Sequence, residues 1–135
     1  MKRILLVCMI LNSFVSAQTN QGKLAYQYYQ SGEYDKAITL YKELNKKSVY
    51  NAYFTTYLNC LLQIEDYKEA EKLVARIVKK FPKSLHYKVD YGFVQKKNNK
   101  VNKAKQNYQS AIDGLSKQSN LAISLGNAFM LRKEY

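Results

Sequence analysis

Side chains able to do chemistry are few: 135 residues carry one histidine, His86, and two cysteines, Cys8 and Cys60. A histidine base needs a nucleophile within hydrogen-bond reach. The spacing offers no serine or cysteine that can be paired with His86, whose place at the start of a helical pattern is that of a groove or surface residue. Cys60 lies among Leu58, Leu61 and Leu62, the setting of a buried small hydrophobe rather than a reactive thiol. A zinc site takes about four ligands, usually in closely spaced pairs, and this inventory cannot assemble one. Glu65, Asp66, Glu69 and Glu71 cluster in a turn and the first turn of a helical pattern, where negative charge complements the helix dipole. There is no phosphate-binding glycine loop and no paired-cysteine motif. The residues therefore predict no catalytic group, no metal and no cofactor.

Basic residues are the other chemical feature. Lys and Arg number 22 against 10 Asp and Glu, a net charge of +12. Ten of them fall between Arg76 and Lys105: Arg76, Lys79, Lys80, Lys83, Lys88, Lys96, Lys97, Lys100, Lys103 and Lys105, opposed only by Asp90. Such a stretch suits an acidic protein, an anionic glycan of the envelope or lipid head groups. The lysines fall on several helix faces, however, which is the pattern of a solvated surface. Tyr87, Tyr91 and Phe93 could stack bases beside them.

The elements that position these residues follow from composition and period. Five Gly and one Pro argue against a turn-rich all-β chain and leave a mostly helical one. Met1-Lys2-Arg3 is followed by the apolar run Ile4 to Ile10, continues to Val15, and ends in Val15-Ser16-Ala17. A charged start, a short apolar core and small residues before Gln18 make residues 1–17 an export signal, too short to span a bilayer. Its removal leaves Cys60 alone, so the fold must rest on apolar packing. It also makes nucleic acid an unsuitable partner and gives the chain a periplasmic or cell-envelope location, with no membrane span remaining.

From residue 18 onward the chain repeats itself. Gly32-Glu33-Tyr34-Asp35-Lys36-Ala37 is echoed by Glu65-Asp66-Tyr67-Lys68-Glu69-Ala70 and by Asn99-Lys100-Val101-Asn102-Lys103-Ala104, the alanines lying 33 and 34 residues apart. Tyr41, Val74 and Tyr108 follow four residues later, and Leu44, Ile77 and Ala111 three after that, at helical spacing. An apolar set precedes each marker: Leu24, Ala25 and Tyr28; then Phe54, Tyr57, Leu58 and Leu61; then Tyr91, Gly92 and Val94. The unit is two amphipathic helices joined by a tight turn. Helices are predicted over 20–31, 34–46, 51–63, 67–80, 84–97, 101–115 and 119–132. Ala25, Ala37, Ala70, Gly92 and Ala104 would let paired backbones approach, and Pro82 stops one helix before the next pair.

On these residues the chain resembles the tetratricopeptide repeat family, over essentially all of 18–135. Gly32 to Ala37 with Tyr41, and Asp66 to Ala70 closing at Pro82, are the most telling matches; the family's early aromatic is present as Phe54 but replaced by Gln21 and Lys88 in the other units. The resemblance implies an all-α, right-handed solenoid of antiparallel helix pairs, with units 18–50, 51–84 and 85–118 and an incomplete unit at 119–135. It also implies that the first helix of each pair lines a concave groove for a protein or peptide. The inward positions would be Tyr26 and Tyr29, Thr55, Asn59 and Leu62, Val89, Phe93 and Lys96, and Ile123 and Asn127. Members that clamp a terminal carboxylate use Lys, Asn and Arg where this chain has Gly22, Tyr26, Thr56, His86 and Asp90, so that mode is not expected. Leu121, Ile123, Leu125, Phe129, Met130 and Leu131 make the last predicted helix too apolar for a capping helix, so the chain reads as the N-terminal part of a longer array. The function expected is a non-catalytic interaction scaffold, with two alternatives: the exported sensor or docking arm of a larger signalling protein, and a basic module for an anionic glycan or lipid.

Overall fold

The computed structural model describes residues 20–47, 52–115 and 121–133. The predicted export signal at 1–17 and the predicted helix starts at 51 and 119–120 lie outside the described residues. Within them the chain is all helical: α1 over 20–30, α2 Tyr34–Lys47, α3 Phe54–Gln63, α4 Tyr67–Lys80, α5 Leu85–Lys97, α6 Val101–Leu115 and α7 Ala122–Arg132. The chain forms two compact units, Met1–Ile64 and Glu65–Tyr135.

A recurring backbone device ends the first helix of each pair. Gly32, Glu65, Asn99 and Lys133 all take positive φ, at 77°, 58°, 59° and 54°. They recur at the 33–34-residue period of the sequence. A left-handed residue ends a helix by turning its last carbonyls onto following N–H groups. Glu33 N–H donates to Tyr28 O and Lys100 N–H to Gln95 O, both at 2.8 Å. Only the first of these positions is a glycine; the others adopt the left-handed region at the steric cost that a Cβ imposes there.

In the first unit, Ala25 and Ala37 are fully buried, and Tyr41, Leu44, Phe54, Tyr57, Leu58, Cys60 and Leu61 complete the core. The Tyr41 ring lies 5.8 Å from Tyr53 and 5.9 Å from Tyr57. Gly22 is required here, because a Cβ on it would fall 2.2 Å from the Tyr53 ring. Residues 52–53 form a turn and α3 begins at Phe54, after the predicted start, with Tyr53 packed between Gly22 and Tyr41.

In the second unit, α5 is central: α4, α6 and α7 all pack on it. Gly92 accommodates Tyr108 of α6 so closely that a Cβ would stand 2.4 Å from the ring, while Leu85 fills the space beside Gly114. Leu85, Val89, Ala111, Leu125 and Ala128 form the core of this region, with Tyr108, Leu115, Leu121 and Phe129 against it. Asp66 caps α4 by accepting from Glu69 N–H at 3.0 Å, satisfying an otherwise orphaned donor. Helix α4 ends at Lys80, where Phe81 N–H still bonds Ile77 O at 2.8 Å and Pro82 stops the continuation.

Candidate functional site

The predicted groove residues divide between the two units. In the first, Tyr26 is 44% exposed and its ring lies 6.0 Å from Tyr29, which in turn lies 6.1 Å from Tyr34. Three tyrosines thus make a surface aromatic cluster where α1 hands over to α2. Thr55 is exposed on the first turn of α3, and Asn59 and Leu62 are half-buried further along it.

In the second unit, Lys96 and Asn127 are exposed and Phe93 is half-buried. The Phe93 ring is faced by two cations, the Arg132 guanidinium at 5.3 Å and Lys97 Nζ at 5.7 Å. Val89 is not a groove residue. It is completely buried among Leu85, Ala111, Leu125 and Ala128, because α6 and α7 cover the side of α5 on which it stands. Ile123, one repeat later in sequence, is 81% exposed.

A buried ion cluster ties α7 to α5. Asp90, 1% exposed, accepts from Arg132 Nε at 2.8 Å, and Arg132 Nη2 reaches the same oxygen at 2.8 Å. His86 Nε2 lies 3.2 Å from the other oxygen. The hydrogen bond to Asp90 raises the His86 pKa above its ordinary 6.5, against the opposing effect of burial. A carboxylate removed from water is costly unless paired, and the Arg132 guanidinium supplies the pairing, with His86 as a second hydrogen-bonding partner. His86 is thus committed to Asp90. This cluster escaped sequence reasoning because Asp90 and Arg132 are 42 residues apart; its one sequence signal is a lone acid amid ten basic residues.

The basic stretch is partly consumed by the fold. Lys88 donates to Ser110 Oγ at 3.0 Å, and Lys100 pairs with Glu71 at 2.6 Å. Burial pushes the Glu71 carboxyl up, but hydrogen bonds from Lys100 and Asn98 outweigh it and leave the pKa below its ordinary value. Glu71 thereby fastens the α5–α6 turn to α4. Cys60 is fully buried, and burial pushes its thiol up to about 11, which suits a packing role. Among the described residues no group of three or more His, Cys, Asp or Glu could hold a metal, and no helix is long and apolar enough to cross a membrane.

The family model described as intraflagellar transport protein 56 matches residues 21–135. The match begins after the apolar run at residues 4–15. No curated protein matches the chain.

Proposed function

The chain belongs to the intraflagellar transport protein 56 family, a tetratricopeptide-type helical repeat family, and from that premise we propose that it is a non-catalytic scaffold binding a peptide or partner helix on the first helices of its pairs. The observation that carries this reading is the division of labour among its polar and aromatic side chains. Asp90 is engaged by His86 and Arg132, and Glu71 by Lys100. Tyr26, Tyr29 and Tyr34 stand at the surface as a ring cluster, and Phe93, Lys96 and Asn127 provide a second set of accessible side chains. Tyrosines supply contact area at low entropic cost, and amides satisfy a peptide backbone.

The test is affinity capture from the native host with the full chain, against Tyr26→Ala/Tyr29→Ala and Lys96→Ala/Asn127→Ala. A partner retained by the parent and lost by either double variant supports the reading. Partners indifferent to both pairs would refute it. Residues 1–17 have the composition of an export signal, and the location proposed is the cell envelope. N-terminal mass spectrometry of the protein from its host checks this: a mature chain starting at Gln18 supports export, and an intact Met1 start refutes it.

A further inference from the structure

The fold sorts cations that look scattered along the sequence. Lys88 is bonded to Ser110 and Lys100 to Glu71, so both are engaged in holding helices together. On α4 the arrangement differs. Lys68, Lys72, Arg76 and Lys79 follow one another at steps of four, four and three residues, and all four are exposed. At about 100° per residue they fall within an arc of about 80° and run for about 17 Å along the helix. The opposite side of α4 carries Ala70, Leu73, Val74 and Ile77, all fully buried, so packing turns the basic stripe outward.

Little on the protein neutralises this stripe. On α2, Lys36 and Lys46 each pair with a glutamate three residues earlier, Glu33 and Glu43. On α4 Lys72 meets Glu69 at 3.3 Å, but its side chain is 73% exposed, and a pair so placed adds little stability and yields to another carboxylate. Lys68 and Lys79 make no ion pair among the described residues. From Lys72 to Val89 the sequence holds no Asp or Glu, while Lys80 and Lys83 extend the positive charge past the end of the stripe.

The make-up of the face selects the anion. Three of the four cations are lysines, point charges suited to single carboxylates, whereas the arginine fork is what grips phosphate or sulfate bidentately. No large apolar side chain of α4 is exposed, so the face has nothing to insert into a lipid surface. No aromatic residue lies between Lys68 and Lys79, so bases have nothing there to stack on. Cations four residues apart on a helix are spaced by about 6 Å, close to the spacing of carboxylates at i and i+4 of an acidic helix or at alternate residues of an extended chain.

We propose that the exposed face of α4 binds an acidic segment of a partner protein, its carboxylates set against Lys68, Lys72, Arg76 and Lys79. The face belongs to the second helix of a pair, so it is separate from the tyrosine and Asn127 surface proposed above and does not depend on it.

The test uses the full chain and, as probe, a fluorescent oligoglutamate peptide titrated by anisotropy across a salt series. Saturable binding that weakens as salt rises is expected. Lys68→Gln/Lys72→Gln/Lys79→Gln removes three charges at little cost to helix formation and should weaken binding at least about fivefold. Lys42→Gln/Lys103→Gln/Lys105→Gln removes the same charge from exposed positions on α2 and α6 and should weaken it less than about twofold. Equal weakening by the two triple variants assigns binding to net charge and overturns the proposal, as does absence of saturable binding. Loss of binding in Tyr26→Ala/Tyr29→Ala assigns the peptide to the tyrosine surface and overturns it too. Stripe-dependent binding that is tighter for heparin or for phosphatidylglycerol vesicles, compared at equal anionic charge, overturns it in favour of a glycan or a lipid surface.

Discussion

The closest test of the packing argument is a pair of glycine-to-alanine changes in equivalent positions. Alanine is favoured over glycine by about 1 kcal/mol in a helix interior. At Gly126 nothing among the described residues opposes that gain, so Gly126→Ala should stabilise the chain by about 0.5–1 kcal/mol. At Gly92 the new Cβ would stand 2.4, 2.5 and 3.0 Å from three atoms of the Tyr108 ring. The ring must retreat by about 1 Å to reach ordinary contact distance. It is hemmed in by Phe129, whose centroid lies 5.5 Å away. Overpacking of this kind costs about 1–3 kcal/mol, and more when the neighbour cannot yield, so Gly92→Ala should destabilise by about 1–2 kcal/mol after the propensity gain. At about 4 °C per kcal/mol the two variants should melt on opposite sides of the parent. Circular dichroism at 222 nm during thermal and urea unfolding reads this directly. Adding Tyr108→Ala to Gly92→Ala should cancel the steric part of the penalty, giving a coupling energy of about 1 kcal/mol or more. Equal shifts in the same direction for the two glycine variants, or no coupling to Tyr108, would refute the proposed seat of the ring.

Other outcomes follow from the buried groups. Arg132→Met strips Asp90 of its closest cation and should destabilise the second unit by about 3–5 kcal/mol, while Asp90→Asn combined with it should recover part of the loss; urea midpoints measure both. The His86 pKa is raised by Asp90, so the contribution of that bond is fully present below about 6.5 and is lost as pH rises through the folded-state value. Thermal midpoints across pH 5–8 should show that decline, and His86→Gln should flatten it. Asp66→Ala removes the cap on Glu69 N–H and should cost about 1 kcal/mol in urea unfolding. With Cys8 replaced by serine, Cys60 should react with a thiol reagent only as fast as the chain unfolds, a rate that rises with urea; fast native-state labelling would contradict its burial.

Much of the helical organisation was legible from residue spacing. The recurrence of Ala37, Ala70 and Ala104, with Tyr41, Val74 and Tyr108 a turn later, sets helix phases that match α2, α4 and α6 closely. Ala25, Ala37, Ala70, Gly92 and Ala104 are all buried, as small residues between close backbones must be. Cys60 was placed correctly by its leucine neighbours, and Asp66 was placed in the turn before α4, although its capping bond to Glu69 was not read from the sequence. These features are local: helical phase depends on side chains three and four residues apart, and capping on a contact three residues long.

Side-chain fate on α5 was decided only by tertiary structure. Val89 was expected to face a partner and is instead covered, because three helices converge on α5 and no single stripe of its sequence says so. Asp90 was an isolated acid in a basic run until Arg132 and His86 closed on it. Left-handed turns at Glu65, Asn99 and Lys133 have no glycine to announce them. Each of these outcomes is fixed by contacts between residues separated by a helix or more, and burial, ion pairing and an uncommon backbone angle are set by what a folded neighbour presents, which spacing along one chain does not encode.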